Sequence, residues 1–164
     1  MSSKESTSKG KLRLLVDTSF LLPAMGIETE EEVMEAIKYF HMAEVHYVEV
    51  SILEAMWRII KVVPAEKLDR VGEGIEAIME TYKRVTPHPQ AYIDAYKLYR
   101  EGHRDYVDNL IYATSQKLHL LLLTADREFI DFLKEKGHSI RNIATPDKVS
   151  LPLLFRKGAS RRRS

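Results

Sequence analysis

Two rhythms of apolar residues alternate along this chain. Short β-branched or leucine-rich runs read as buried strands, and longer stretches with apolar positions three and four apart read as amphipathic helices. Residues 12–16 predict a first buried strand, and Val33, Ile37 and Phe40 a helix after it. Residues 45–50 predict a second strand, followed by a helix that starts near Ser51 and stops before Pro64. Ile75, Ile78, Met79 and Tyr82 mark another helical stripe, and residues 84–86 a short strand ended by Pro87 and Pro89. Tyr92, Ala95, Tyr96 and Tyr99 form a further stripe that reads as core or dimer interface, and Val107, Leu110, Ile111, Thr114 and Leu118 form the next. Residues 120–124 are the clearest strand, Phe129, Phe132 and Leu133 lie on a helix ended by Gly137, and residues 139–143 predict a fifth strand. Trp57 reads as core, and Gly72 and Gly74 as points where a helix loosens or breaks. Strands alternating with helices predict βαβ units around a mostly parallel sheet.

Composition narrows what such a fold does. The 164 residues, 45% of them hydrophobic, suit one domain over residues 12–155, with disordered tails at 1–11 and 156–164. The longest unbroken apolar run, 120–123, falls far short of the roughly 20 residues a membrane helix needs, so a cytoplasmic protein with no membrane association is expected. There is no cysteine, which excludes disulfides and thiolate metal sites and leaves oxygen or imidazole ligands. The net charge is +1, but Lys4, Lys9, Lys11, Arg156, Lys157, Arg161, Arg162 and Arg163 lie in the tails together with only one acid, Glu5. The body between them is therefore acidic and repels a phosphate backbone unless cations or local basic patches intervene. Arg161, Arg162 and Arg163 are candidates for attracting RNA, with a plain solvated tail as the other reading. The six histidines share no ligand spacing and are assigned surface or structural roles.

The candidate chemistry lies in where the acids fall. In an open parallel sheet the strand C-termini and helix N-termini share one edge, which is where ligands bind. Asp17 follows the first strand, Glu54 opens the helix after the second, Asp108 opens the helix that leads into the fourth, and Asp126 follows the fourth. Each has a local explanation as well: Ser51 and Glu54 have capping-box spacing, Asp17 and Asp126 precede helices that they can cap, and Asp108 is favoured by the dipole of a helix that Asp105 can cap. Several carboxylates crowded on one edge either hold protons or recruit a cation, and an oxygen-only set without an EF-hand loop points to Mg2+ or Mn2+. Such an ion suits phosphodiester hydrolysis, because it lowers the pKa of a bound water and neutralises the leaving oxygen.

Four stretches carry a resemblance. Residues 14–19 (LLVDTS), 50–54 (VSILE), 106–114 (YVDNLIYAT) and 122–129 (LLTADREF) resemble, in order and spacing, the four acidic blocks of PIN domains. The resemblance implies a three-layer α/β/α fold around a central parallel five-stranded sheet, with Mg2+- or Mn2+-dependent cleavage of single-stranded RNA by metal-activated water. It also implies frequent homodimerisation and, for many small members, the role of toxin with a protein antitoxin as partner. By position, Asp17, Glu54, Asp108 and Asp126 match the family's acidic quartet, as catalytic and metal-binding residues, and Thr124 matches a supporting polar residue. Asp105 stays open between an extra ligand and an N-cap. Asn109 stands where the family usually has a small residue. The alternative is a catalytically silent module of the same fold that binds RNA or protein and keeps its acids as caps. A phosphatase of the haloacid dehalogenase type also places an aspartate after its first strand, but Ser19 stands where that type needs a second one.

Overall fold

The computed structural model describes residues 10–147. The expected C-terminal tail with Arg161, Arg162 and Arg163, and residues 1–9 of the expected N-terminal one, lie outside them. Five strands, β1 (Leu12–Val16), β2 (Ala43–Val48), β3 (Lys83–Val85), β4 (Leu121–Leu123) and β5 (Ile143–Ala144), form one sheet in the order β3-β2-β1-β4-β5. All four pairings are parallel. The helices α1 (Glu31–Ile37), α2 (Val50–Val62), α3 (Leu68–Thr81), α4 (Pro89–Glu101), α5 (Tyr106–Leu118) and α6 (Arg127–Glu135) supply the crossovers. Two short 3-10 turns, Thr18–Phe20 and Leu22–Met25, follow β1.

The strands read as unbroken apolar runs because both faces of the sheet are covered. Leu14, Val16, Val45, Tyr47 and Leu123 pack with Phe20, Met25, Ala55, Ile59, Val71 and Ile78 on one side. Leu15, Val48 and Leu122 pack with Leu98, Ile111, Tyr112, Phe129 and Leu133 on the other. This period-two division of neighbouring residues makes the three layers, and the expected five-stranded parallel architecture is the one observed.

Several local expectations are corrected. The second strand ends at Val48, because Glu49 already has helical backbone angles and Val50 opens α2. Val50 thereby packs among Ala91, Ala95, Leu110 and Ala113. Trp57 is not core but 61% exposed, and Met79 is half exposed. On α4 the buried stripe is Ala91, Ala95 and Leu98, with Tyr92 and Tyr96 outside. Small residues face inward there because α4 packs closely on α5 through Ala113 and Leu110. The fifth strand is confined to residues 143–144: Ser139 O accepts from Tyr112 Oη at 2.7 Å and Ile140 O turns back to accept from Ile143 N at 3.1 Å, so that only from Asn142, whose carbonyl accepts from Leu122 N at 2.7 Å, does the chain meet β4. Gly72 and Gly74 break nothing and lie inside α3.

Candidate metal centre

The strand order puts the site between β1 and β4. The chain builds β1, β2 and β3 to one side and then returns across β1 to add β4, so a crevice opens at the C-terminal ends of β1 and β4. Asp17 N donates to Leu123 O at 3.2 Å, so the residues leaving these strands are spatial neighbours.

Asp17 is held from three directions. Ser19 N donates to its Oδ1 at 2.9 Å, and Thr124 Oγ1 and Ala125 N donate to its Oδ2 at 2.7 and 3.4 Å. Thr124 Oγ1 also accepts from Asp126 N at 3.1 Å, so one hydroxyl ties the two strand ends together. Asp126 caps α6 by accepting from Phe129 N at 3.0 Å, and Asp105 caps α5 by accepting from Asp108 N at 3.1 Å. Capping and clustering are thus compatible, because a cap occupies one carboxylate oxygen and fixes the side chain at the site edge. The Ser51–Glu54 capping box does not form. With the helix beginning at Val50, its N-cap makes no side-chain bond and Ser51 Oγ is buried without a partner among the described residues. Glu54 is therefore released from capping.

Asp17, Glu54, Asp105, Asp108 and Asp126 line one cavity of about 270 Å3, together with Thr18, Ser19, Glu30 and Ala125. Among the described residues no lysine or arginine lines it. Among the described residues, no ion pair engages any of those five acids. Arg127, beside Asp126 in the chain, is drawn elsewhere, donating to Glu32 at 2.9 and 2.8 Å and pairing with Asp147 at 2.8 Å.

Proton affinities register this crowding. Burial pushes Asp17 up to about 6, against the opposing bonds from Thr124, Ser19 and Ala125. Burial, with the charges of Asp105, Asp17, Glu54 and Asp126 adding, pushes Asp108 up to about 9. Burial also raises Glu54, against the Thr18 hydroxyl and with the Asp105 charge adding.

A raised carboxylate binds protons more tightly folded than unfolded, so its contribution favours the native state at low pH and is lost as pH rises. The window opens at the ordinary value of 3.8 and closes near 6 for Asp17 and near 9 for Asp108. The melting temperature of the metal-free protein is expected to fall between pH 5 and pH 8, and millimolar Mn2+ to reverse much of the fall. Thermal melts in EDTA and in Mn2+ across that range check this, and a flat EDTA profile would contradict the crowding.

The donor set of the cavity fits a hard divalent cation: carboxylates and hydroxyls, with no side-chain cation among the described residues in competition. A ring nitrogen of His103 and carboxylate oxygens of Asp108 and Asp126 all lie within 4.8 Å of one another. His103 and Glu30 escape the sequence reading. The signal that finds His103 is its spacing to Asp105 and Asp108, not to the other histidines; nothing marks Glu30 within its acidic run. His46 is structural, its Nδ1 on Leu14 O at 3.0 Å and its Nε2 on Glu44 at 3.1 Å.

The family model for the PIN domain matches residues 14–134. A comparison with curated protein sequences finds no match. Among solved structures, a toxin–antitoxin complex from Klebsiella pneumoniae is similar at 18% identity and a TM-score of 0.57, over 83% of this chain and 99% of that one. PAE2754 from Pyrobaculum aerophilum is similar at 16% identity and a TM-score of 0.57, over 91% and 96%. VapC20 of Mycobacterium tuberculosis, described as a sarcin-ricin loop cleaving toxin, is similar at 15% identity and a TM-score of 0.56, over 77% and 96%.

Proposed function

Because this chain belongs to the PIN-domain family, we propose that it is a Mg2+- or Mn2+-dependent endoribonuclease acting on single-stranded RNA, with Asp17, Glu54, Asp108 and Asp126 as its metal-binding and catalytic residues. The observation that carries the reading is the convergence of these four carboxylates on one cavity that, among the described residues, no basic side chain lines. A divalent ion bound there supplies neutralisation of the phosphate and a lowered pKa for the attacking water. Thr124 orients Asp17 through its 2.7 Å hydrogen bond, and Asp105 acts as the cap that seats Asp108. A second cavity of about 280 Å3 shares Thr18, Ser19 and Glu54 with the first and is lined by Arg58 and Lys61. These two cations give the RNA backbone an approach across an otherwise acidic body.

The test is cleavage of a labelled single-stranded RNA. Activity requires Mg2+ or Mn2+, stops in EDTA, and is lost in Asp17→Asn and Asp126→Asn while their circular dichroism spectra are unchanged. A wild type that is inert with both ions and shows no Mn2+-induced thermal shift would leave the silent binding module in its place.

A toxin role follows from the neighbours described as toxins or as a toxin–antitoxin complex, and makes a protein antitoxin the proposed partner. The homodimer is supported by an apolar stripe on α2, where Leu53, Trp57 and Ile60 are 56%, 61% and 68% exposed. Spacings of four and three put them on one helix face, which water does not favour unless a second copy covers it. Trp57→Glu with Ile60→Lys is expected to convert a dimer to a folded monomer in light scattering; an unchanged mass would remove α2 from the interface.

A further inference from the structure

We infer that His103 is a ligand of the metal centre, joining Asp108 and Asp126 to form a nitrogen-containing subsite that prefers a transition-metal dication such as Mn2+ to Mg2+. The inference rests on the metal-centre reading above and changes its chemistry, since the acids alone make an all-oxygen site.

The first support is proximity, with a ring nitrogen of His103 and one carboxylate oxygen each of Asp108 and Asp126 mutually within 4.8 Å. The second is the tautomer. Asn109 is fully buried, and its Nδ2 donates to His103 O at 2.9 Å and to Ala95 O at 3.3 Å. With the amide nitrogen committed to two carbonyls, the atom facing the ring is Oδ1, which lies 2.7 Å from His103 Nδ1. An amide oxygen only accepts, so Nδ1 carries a proton, which in the neutral ring leaves the lone pair on Nε2. No hydrogen bond from the described residues reaches Nε2. A histidine whose one nitrogen donates to a fixed acceptor while the other stays bare has the arrangement found in protein metal sites.

The third support is rigidity. The ring stacks on Phe129 with centroids 4.3 Å apart and planes at 26°, and lies 5.3 Å from Phe132. The backbone is anchored where α4 ends, His103 N donating to Leu98 O at 3.2 Å after Gly102 adopts a φ of +125°. Packing alone needs only a flat ring at this position, whereas a buried asparagine oxygen aimed at Nδ1 selects the tautomer of the neutral ring. The ligand set then gains an imidazole, which suits first-row transition ions and offers little to Mg2+, an ion that holds oxygen ligands and water.

His103→Asn is the informative variant, because its amide NH2 can still donate to Asn109 while the Nε2 edge is removed. Calorimetric titration of the metal-free proteins is expected to show roughly tenfold or greater loss of Mn2+ affinity, with Mg2+ affinity changed about twofold or less. Pulsed EPR of wild-type protein loaded with Mn2+ is expected to show a nitrogen coupling that the variant lacks, a readout independent of cleavage and, for the wild type, of any effect on folding. An unchanged Mn2+ affinity, an equal loss for both ions, or a wild-type spectrum without nitrogen coupling each overturns the assignment. A wild type that binds neither ion overturns the metal-centre reading as well, so the two failures are distinguishable.

Discussion

Replacing Asp108 by asparagine is expected to abolish metal-dependent RNA cleavage while raising the melting temperature of the metal-free protein near pH 8 by about 5 °C. The two effects have one cause. Asp108 is half-buried beside four other carboxyl groups, and its proton affinity is pushed up to about 9 because ionising it there is unfavourable. At pH 8 the unfolded chain carries this group ionised, so folding must either protonate it or bury its charge. Asparagine keeps the shape and has no charge to neutralise. Part of that gain is offset by weaker interaction with the N-terminus of α5, where Asp108 lies in the first turn. After that offset and some solvent screening, on the order of 2 kcal/mol remains.

Asparagine also offers a neutral oxygen where the ion needs an anionic one, so cleavage is expected to fall roughly 10³-fold or more. A gain in stability beside a loss of activity distinguishes a functional carboxylate from a structural one. Thermal melts in EDTA and a fluorogenic RNA assay check both halves, and an Asn variant that melts lower than wild type would sink the argument.

The acids were legible in the sequence because their placement depends on topology more than on packing. Asp17 and Asp126 follow β1 and β4, strands whose unbroken apolar runs mark burial on both faces. A parallel sheet leaves little choice about where the residues after such strands come together. What was not legible depends on side-chain size. Tyr92 and Tyr96 have large apolar area and attract a core or interface assignment, yet the interface of α4 with α5 is close and admits Ala91 and Ala95 instead. Periodicity reports that a helix has a face; it does not report how near the neighbouring helix lies. His103 was hidden for a related reason. Its spacing to Asp105 and Asp108 is the one trace in the chain, while the partners that orient its ring, Asn109, Phe129 and Phe132, come from two later helices.

The two glycines of α3 are expected to respond to alanine with opposite signs. At Gly72 an added Cβ meets nothing within 4 Å, so Gly72→Ala gains helix propensity and is expected to stabilise by about 0.5–1 kcal/mol. At Gly74 the Cβ would lie 2.1 Å from Ala24 O, and 2.7 Å from both Ala24 C and Met25 Cα. These are backbone atoms of the 3-10 turn Leu22–Met25, and the same carbonyl is also held by Arg70 at 2.6 Å, so no rotamer change relieves the clash. The helix must retreat by about 1 Å, loosening Val71 and Ile78 from Leu22 and Met25. That overpacking outweighs the propensity gain and is expected to destabilise by about 3 kcal/mol. Because the displaced turn continues from Thr18 and Ser19, which line the acidic cavity, Gly74→Ala is also expected to weaken Mn2+ binding. Chemical denaturation of the two variants decides the matter. Equal shifts of the same sign would mean that the approach of α3 to residues 22–25 is looser than described and that Gly74 is needed for nothing more than a helix position.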